Sequence, residues 1–164
     1  MPFDPVIVVG GGLAGCECAL QLAKRGVPVK LFEMRPHTSS PAHRTDGLAE
    51  LVCSNSLKAT RIDSAAGLLK EELARMGSEL LQCANAASVP AGGALAVDRE
   101  TFSSLVEEKV GNEELIGLVR EEVTAIPTGR AVIAAGPLCS PALSEAVLKA
   151  LAIAIGFAAV LMRV

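Results

Sequence analysis

Four branched aliphatics, Val6-Ile7-Val8-Val9, run directly into Gly10-Gly11-Gly12-Leu13-Ala14-Gly15, and Glu33 closes the next apolar run, Val29-Lys30-Leu31-Phe32. Glycines 10, 12 and 15 make a G-x-G-x-x-G, and the acid follows eighteen positions after the last of them. This order of strand, turn, helix, strand and acid is what a dinucleotide site requires. The first glycine makes a tight strand-to-helix turn, the second lets backbone approach a pyrophosphate, and the third lets helix and strand pack closely. The acid hydrogen-bonds a ribose hydroxyl, and the pyrophosphate sits at the positive end of the helix. Gly11, Leu13 and Ala14 belong to the same turn by position.

The rest of the composition fits one folded domain. The chain has 164 residues, 51% hydrophobic and 20% charged, with a formal net charge of −3, which argues against disorder. Its aromatics are Phe3, Phe32, Phe102 and Phe157, with no Trp or Tyr. Stacking platforms for single-stranded nucleic acid are therefore absent, and mild acidity gives no overall pull towards DNA. Cys16, Cys18, Cys53, Cys83 and Cys139 make an odd count. The N-terminus leads straight into a strand, so the expectation is reduced thiols in a cytoplasmic protein. Cys16 and Cys18 lie two apart on a helix and diverge, so small packing residues describe them better than a metal pair.

Hydrophobic spacing predicts a helix over 13–25 ended by Gly26, then a strand from Pro28 to Glu33. From Met34 to Leu57 no period holds, and a loop of that length inside a compact domain is expected to be functional. Ala65, Leu69, Leu73, Met76 and Leu80 predict a helix over 64–80, weakened near Gly77. Residues 89–95 read as a turn. Asp98 caps a helix whose apolar face is Phe102, Leu105, Val106 and Val110. Strands are expected near 115–120 and 122–126, a turn at 127–129, a buried strand over 131–135 and a last helix from Ser140 or Pro141. The alternation gives a doubly wound α/β fold. Ala150 to Met162 carry no charge over thirteen residues, a length that suits a buried helix better than a membrane span.

Three further stretches give the chain a family likeness. They are Phe32-Glu33-Met34-Arg35-Pro36; Pro41-Ala42-His43 through Ala49-Glu50-Leu51-Val52-Cys53-Ser54-Asn55-Ser56-Leu57; and Val89-Pro90-Ala91-Gly92-Gly93-Ala94-Leu95-Ala96-Val97-Asp98-Arg99-Glu100. With Gly-Gly-Gly-Leu-Ala-Gly-Cys-Glu at 10–17, the chain resembles the folate- and FAD-dependent tRNA uracil-5-methyltransferases (TrmFO, formerly Gid) from its first strand to about Leu148. The larger wobble-uridine modification proteins (GidA/MnmG) share a similar opening, but the three later stretches resemble the folate-dependent family instead.

The resemblance implies a bacterial flavoenzyme that forms 5-methyluridine in the T-loop of tRNA. Methylenetetrahydrofolate supplies the carbon, FAD carries it, and NAD(P)H supplies electrons. Gly10, Gly11, Gly12, Leu13, Ala14, Gly15 and Glu33 would then hold the adenosine diphosphate half of FAD. Arg35 reads equally as a contact to adenosine or phosphate and as a solvated charge. Ala134-Ala135-Gly136-Pro137 resembles the Ala-Thr-Gly stretch that closes many FAD-binding domains. Ala135 replaces the usual Thr, which leaves Gly136 a backbone contact. Cys53 is implied to be one of two active-site thiols, whereas by residue type alone it reads as a buried loop cysteine. His43 and Arg44 stand open between folate carboxylates, tRNA phosphate and solvent. Lys24, Arg25, Lys30, Arg35 and Arg44 give a basic bias, most of it a solvated surface.

Members of the family are much longer, and the segment from 149 to 164 does not resemble what they have there. The expectation is residues 1–148 as the front part of a Rossmann-like FAD-binding domain, followed by an apolar tail left by a frameshift or truncation. Beside the enzyme stand two other readings: a nucleotide-binding module without chemistry, and a fragment that associates through its tail.

Overall fold

The computed structural model describes residues 4–161, and of residues 153–161 it gives the course of the backbone alone. The first unit is the expected one. Strand β1 (Val6–Val9) leads into helix α1 (Leu13–Ala23) and back into β2 (Val29–Phe32), and the two strands pair in parallel from Val6↔Val29 to Val9↔Phe32. The buried face of α1 is Gly15, Cys16, Ala19, Leu20 and Ala23. It packs on Val6, Val8, Val29 and Leu31, the residues that point to one side of the two strands.

The aperiodic segment after β2 ends earlier than its sequence suggests, in β3 (Ser56–Ala59). The helix expected over 64–80 is two helices, α2 (Ala65–Arg75) and α3 (Glu79–Ala86), divided at Gly77, whose φ of +75° ends the first. Ser64 caps α2 by accepting from Gly67 N, and Ser78 caps α3 by accepting from Leu81 N. The turn expected over 89–95 is the tip of a hairpin between β4 (Ser88–Val89) and β5 (Ala94–Val97), and β5 also pairs antiparallel with β3. Helix α4 (Arg99–Gly111) follows, capped as expected by Asp98 accepting from Thr101 N at 2.9 Å. It buries Phe102, Val106 and Val110.

Strand β6 (Ile116–Val119) joins β2 at one edge of the main sheet, and β7 (Ala131–Ile133) joins β1 at the other, in the order β6-β2-β1-β7, all parallel. Two expectations fail here. Residues 122–126 form no strand, because the chain must return from the end of β6 to the start of β7 at the far edge. Residues 121–123 sit beside Gly10 and Glu33, and residues 128–130 beside Ile7 and Lys30, so this coil crosses the second face of the sheet. Nor is the 131–135 strand buried. It ends at Ile133 and lies at the sheet edge, leaving Val132 and Ile133 each 38% exposed. A 3-10 turn (Gly136–Leu138) leads into α5 (Pro141–Leu161), which starts where expected. Side chains of the apolar run beyond residue 152 lie outside the described residues. Among the described residues no helix is long and apolar enough to cross a membrane.

Candidate functional site

The three glycines of the β1–α1 turn have separate duties. Gly10 holds φ +108°, and a Cβ on it would lie 2.6 Å from Ala135 Cα. Gly15 permits the closest approach, since its added Cβ would meet Gly10 O at 1.8 Å. Around Gly12 nothing lies within 4 Å of such a Cβ, so this side of the turn is open. No side chain caps α1 and no acid lies in its first turn. Its first intrahelical bond runs from Cys16 N to Gly12 O at 3.0 Å, leaving the preceding N–H groups for a ligand. An open, positive helix end with a cradle that a Cβ would fill fits an anionic pyrophosphate.

Glu33 is 5% exposed. Its Oε2 accepts from Gly11 N at 2.8 Å, and its Oε1 accepts from Arg35 N at 3.1 Å and Arg35 Nε at 2.7 Å. Burial pushes the carboxyl up, but the hydrogen bonds and charge of Arg35, with the Gly11 N–H, outweigh it and hold Glu33 below its ordinary 4.5. A carboxylate offers about four acceptor positions. Three are taken by protein, which leaves one on Oε2 for a ribose hydroxyl. Gly10, Gly12, Glu33, Arg35, Glu122 and Leu143 share one pocket at this end of the sheet.

The other expected residues fall in different places. Gly11 faces inward, its Cβ position 2.6 Å from Leu48 Cδ2. Leu13 and Ala14 are exposed on the outer side of the turn. Gly136, with φ +64°, is exposed at the start of the 3-10 turn, just beyond the Ala134-Ala135 backbone against Gly10. The solvated reading of Arg35 is overturned. It is 2% exposed, and its Nη1 donates to Glu50 Oε2 at 2.9 Å and Thr45 O at 3.2 Å. That removes it from the basic surface. Lys24 pairs with Glu79 at 2.8 Å, while Lys30 and Arg44 are exposed. His43 meets Ser40 Oγ at 2.9 Å through Nδ1, and burial together with the Arg35 charge pushes its pKa down, favouring the neutral ring.

Cys53 is exposed, against the buried-cysteine reading. Cys16 is the inert thiol. It is fully buried, its Sγ donates to Gly11 O at 3.3 Å, and burial followed by the Glu33 charge pushes its pKa up to about 12. Burial also pushes Cys18 up, and the two thiols do not converge: Cys16 is in the core and Cys18 half-buried at its margin.

The sequence reading missed how the 44–50 loop is held. Ala49 N donates to Gly11 O at 2.8 Å, Ser103 Oγ to Leu48 O at 2.6 Å, and Arg120 Nη1 to Asp46 O at 2.7 Å. Glu50 Oε1 accepts from Arg44 N at 2.9 Å. The only advance signal was the absence of a Cβ at Gly11, where Leu48 packs. The partners on α4 and β6 are too distant in sequence to be read.

The family model described as Glucose inhibited division protein A matches residues 5–145. The methylenetetrahydrofolate–tRNA-(uracil-5-)-methyltransferase TrmFO of Anoxybacillus flavithermus is 58% identical over 140 residues, covering 85% of this chain and 32% of that protein. The protein of the same name from Geobacter sulfurreducens is 61% identical over 141 residues, again covering 85% of this chain and 32% of its own length. The chain thus spans about a third of the length of these curated relatives. Among solved structures, Aquifex aeolicus GidA superposes with a TM-score of 0.60 at 20% identity, over 76% of this chain and 21% of that one, which shows the shared fold. With its glycine turn in place and all but the ends of its described length matched, the chain belongs to the glucose inhibited division protein A family.

Proposed function

We propose that this chain is the nucleotide-anchoring front part of a folate- and FAD-dependent enzyme that methylates C5 of a uridine in tRNA. The observation that carries the reading is the 58–61% identity, over 85% of the chain, to proteins whose names state that activity. Bound flavin would supply the redox and one-carbon carrier chemistry. NAD(P)H as electron source, the T-loop as target and a cytoplasmic setting rest on the family resemblance alone.

Within this reading the chain's own residues do three things. The α1 N-terminus beside Gly10 and Gly12 receives the pyrophosphate, and Glu33 accepts from the adenosine ribose. Arg35 holds Glu33 ionised, so that the carboxylate is an acceptor only. Cys53, exposed at the end of the clamped loop, is a thiol of the reaction centre, as nucleophile or assistant. As nucleophile its thiolate adds to C6 of the uracil and makes C5 electron-rich; after the one-carbon unit has bonded to C5, loss of the C5 proton to a base with departure of the thiolate from C6 restores the ring.

The test is a longer relative carrying Cys53→Ala. Its flavin absorbance should persist while folate-dependent methylation of tRNA is lost, and surviving methylation would reduce Cys53 to a structural residue. A second reading is a nucleotide-binding module without catalysis, for which the open α1 N-terminus and Glu33 would suffice. A flavin spectrum from this chain without methylation would support it.

A further inference from the structure

Five groups around the nucleotide turn close into a ring. Gly11 N donates to Glu33 Oε2 at 2.8 Å, and Glu33 Oε1 accepts from Arg35 Nε at 2.7 Å. Arg35 Nη1 donates to Glu50 Oε2 at 2.9 Å; Glu50 is bonded to Ala49, whose N–H returns to Gly11 O at 2.8 Å. Both ion-paired members other than Glu50 are at least nine-tenths buried, with Arg35 2% and Glu33 5% exposed. Ala49 is fully buried and holds φ +52°, a region that a residue with a Cβ occupies only when its surroundings impose it. The ring therefore dictates the backbone of residues 49–50.

Cys53 stands three residues further on, on a short exposed arch. One foot is Leu51, 8% exposed in the core and next to the ring. The other is Asn55, whose Nδ2 donates to Val97 O at 3.2 Å while its carbonyl accepts from Val97 N at 2.9 Å. The second foot stands on β5, and among the described residues no hydrogen bond ties Asn55 to the nucleotide turn. The first foot is built from it.

We infer that Arg35 and Glu50 are positioning residues, which tie the Cys53 arch to the nucleotide turn so that filling the turn orders the arch. A ligand on the α1 N-terminus and on the free lone pair of Glu33 braces Gly11 and Glu33. Both are ring members, so the restraint passes through one guanidinium and one backbone N–H to Ala49 and Glu50. Coupling of this kind needs no displacement, only a loss of local opening at the second segment. The inference rests on the dinucleotide and Cys53 assignments made above.

The experiment is peptide-resolved hydrogen exchange on this chain with and without saturating FAD, kept dark, in the wild type, Glu50→Gln and Glu50→Asp. In the wild type, FAD should slow exchange over both 10–16 and 48–55, the latter by about fivefold, the lower range of coupling between linked sites. Glu50→Gln, which weakens the ion pair at equal volume, should keep the protection over 10–16 and lose it over 48–55. Glu50→Asp should restore part of it, which a general loss of packing would not allow. Protection confined to 10–16 in the wild type overturns the coupling and leaves the nucleotide site standing, even where Glu50→Gln does not fold. Full protection of 48–55 in folded Glu50→Gln also overturns it. Protection nowhere overturns the nucleotide assignment and the coupling with it.

Discussion

Gly12 and Gly15 lie three residues apart and fail for opposite reasons when given a side chain. At Gly15 the new carbon would sit 1.8 Å from Gly10 O, and that atom is backbone that cannot swing away. Gly15→Ala should cost roughly 3 kcal/mol or more, at the upper end of overpacking. Gly12 meets nothing within 4 Å, so Gly12→Ala should cost under about 1 kcal/mol as a poorer N-cap. It should nevertheless abolish FAD binding, since the methyl fills the cradle. Urea midpoints and quenching of flavin fluorescence separate the two, and unchanged flavin affinity in Gly12→Ala would remove the site assignment. Glu33 adds a pH signature. Its folded pKa lies below the ordinary 4.5, held there by Arg35 and the Gly11 N–H against burial. Its contribution is therefore present above the unfolded value and disappears as pH falls through the folded one. The stability gap between wild type and Glu33→Gln should be flat above pH 5 and close steadily below it, as followed by denaturant titration at each pH. A gap that widened on acidification would contradict the ion pair.

At the scale of elements, α1 and α3 are joined by a carboxylate placed across them. Glu17 Oε2 accepts from Leu80 N and Ser78 Oγ, both at 2.9 Å, and Oε1 accepts from Glu79 N at 3.1 Å and Gln21 Nε2 at 2.9 Å. A negative group thus satisfies the first N–H groups of α3 and faces its positive end. Glu17→Ala strands several donors at once and should cost about 2 kcal/mol, measured by urea unfolding. Glu17→Gln, which keeps one acceptor, should fall between the two. Neighbouring Glu79 carries Lys24 and Lys109, whose hydrogen bonds hold its carboxyl down, but the lysines are solvent-exposed in part and the network is screened accordingly. This junction marks what sequence could and could not deliver. The β1–α1–β2 unit, the Asp98 cap and the start of α5 were legible because each rests on neighbours a few residues away. Glu17 was visible only as the last letter of a motif, since its partners on α3 lie more than sixty positions on. The α2–α3 break is half legible: Gly77 weakens the pattern, but the Ser78 cap behind it shows only in the structure. The 122–126 segment went wrong for the converse reason. Its composition suits a strand, yet the sheet order sends it across a face with no edge to pair with.

At the scale of the molecule, the two faces of the main sheet are covered unequally. Helices α1 and α4 cover the face of Val8 and Leu31, whereas the second face, around Ile7 and Lys30, carries the coil of residues 120–130, with Leu143 of α5 beside Val9 and Phe32 at one end. Parallel sheets are ordinarily covered on both faces, and here β7 also leaves Val132 and Ile133 exposed at an edge. The chain spans 32% of the length of the curated relative from Anoxybacillus flavithermus. What it does contain gathers at one end of the sheet, where the α1 N-terminus, Glu33 and the clamped 44–50 loop meet. That distribution dictates a ligand preference. This chain should bind ADP and FAD with affinities within about tenfold, a difference of ~1.4 kcal/mol, because in the proposed site the diphosphate and adenosine half would supply nearly all the contact. If the proposed function holds, a longer relative should prefer FAD over ADP by a much larger factor. Isothermal titration of both ligands into both proteins measures the difference directly. If this chain instead held FAD far more tightly than ADP, residues already on it would be gripping the isoalloxazine, and the exposed Cys53 arch, which follows directly on the clamped loop, would be the first place to look.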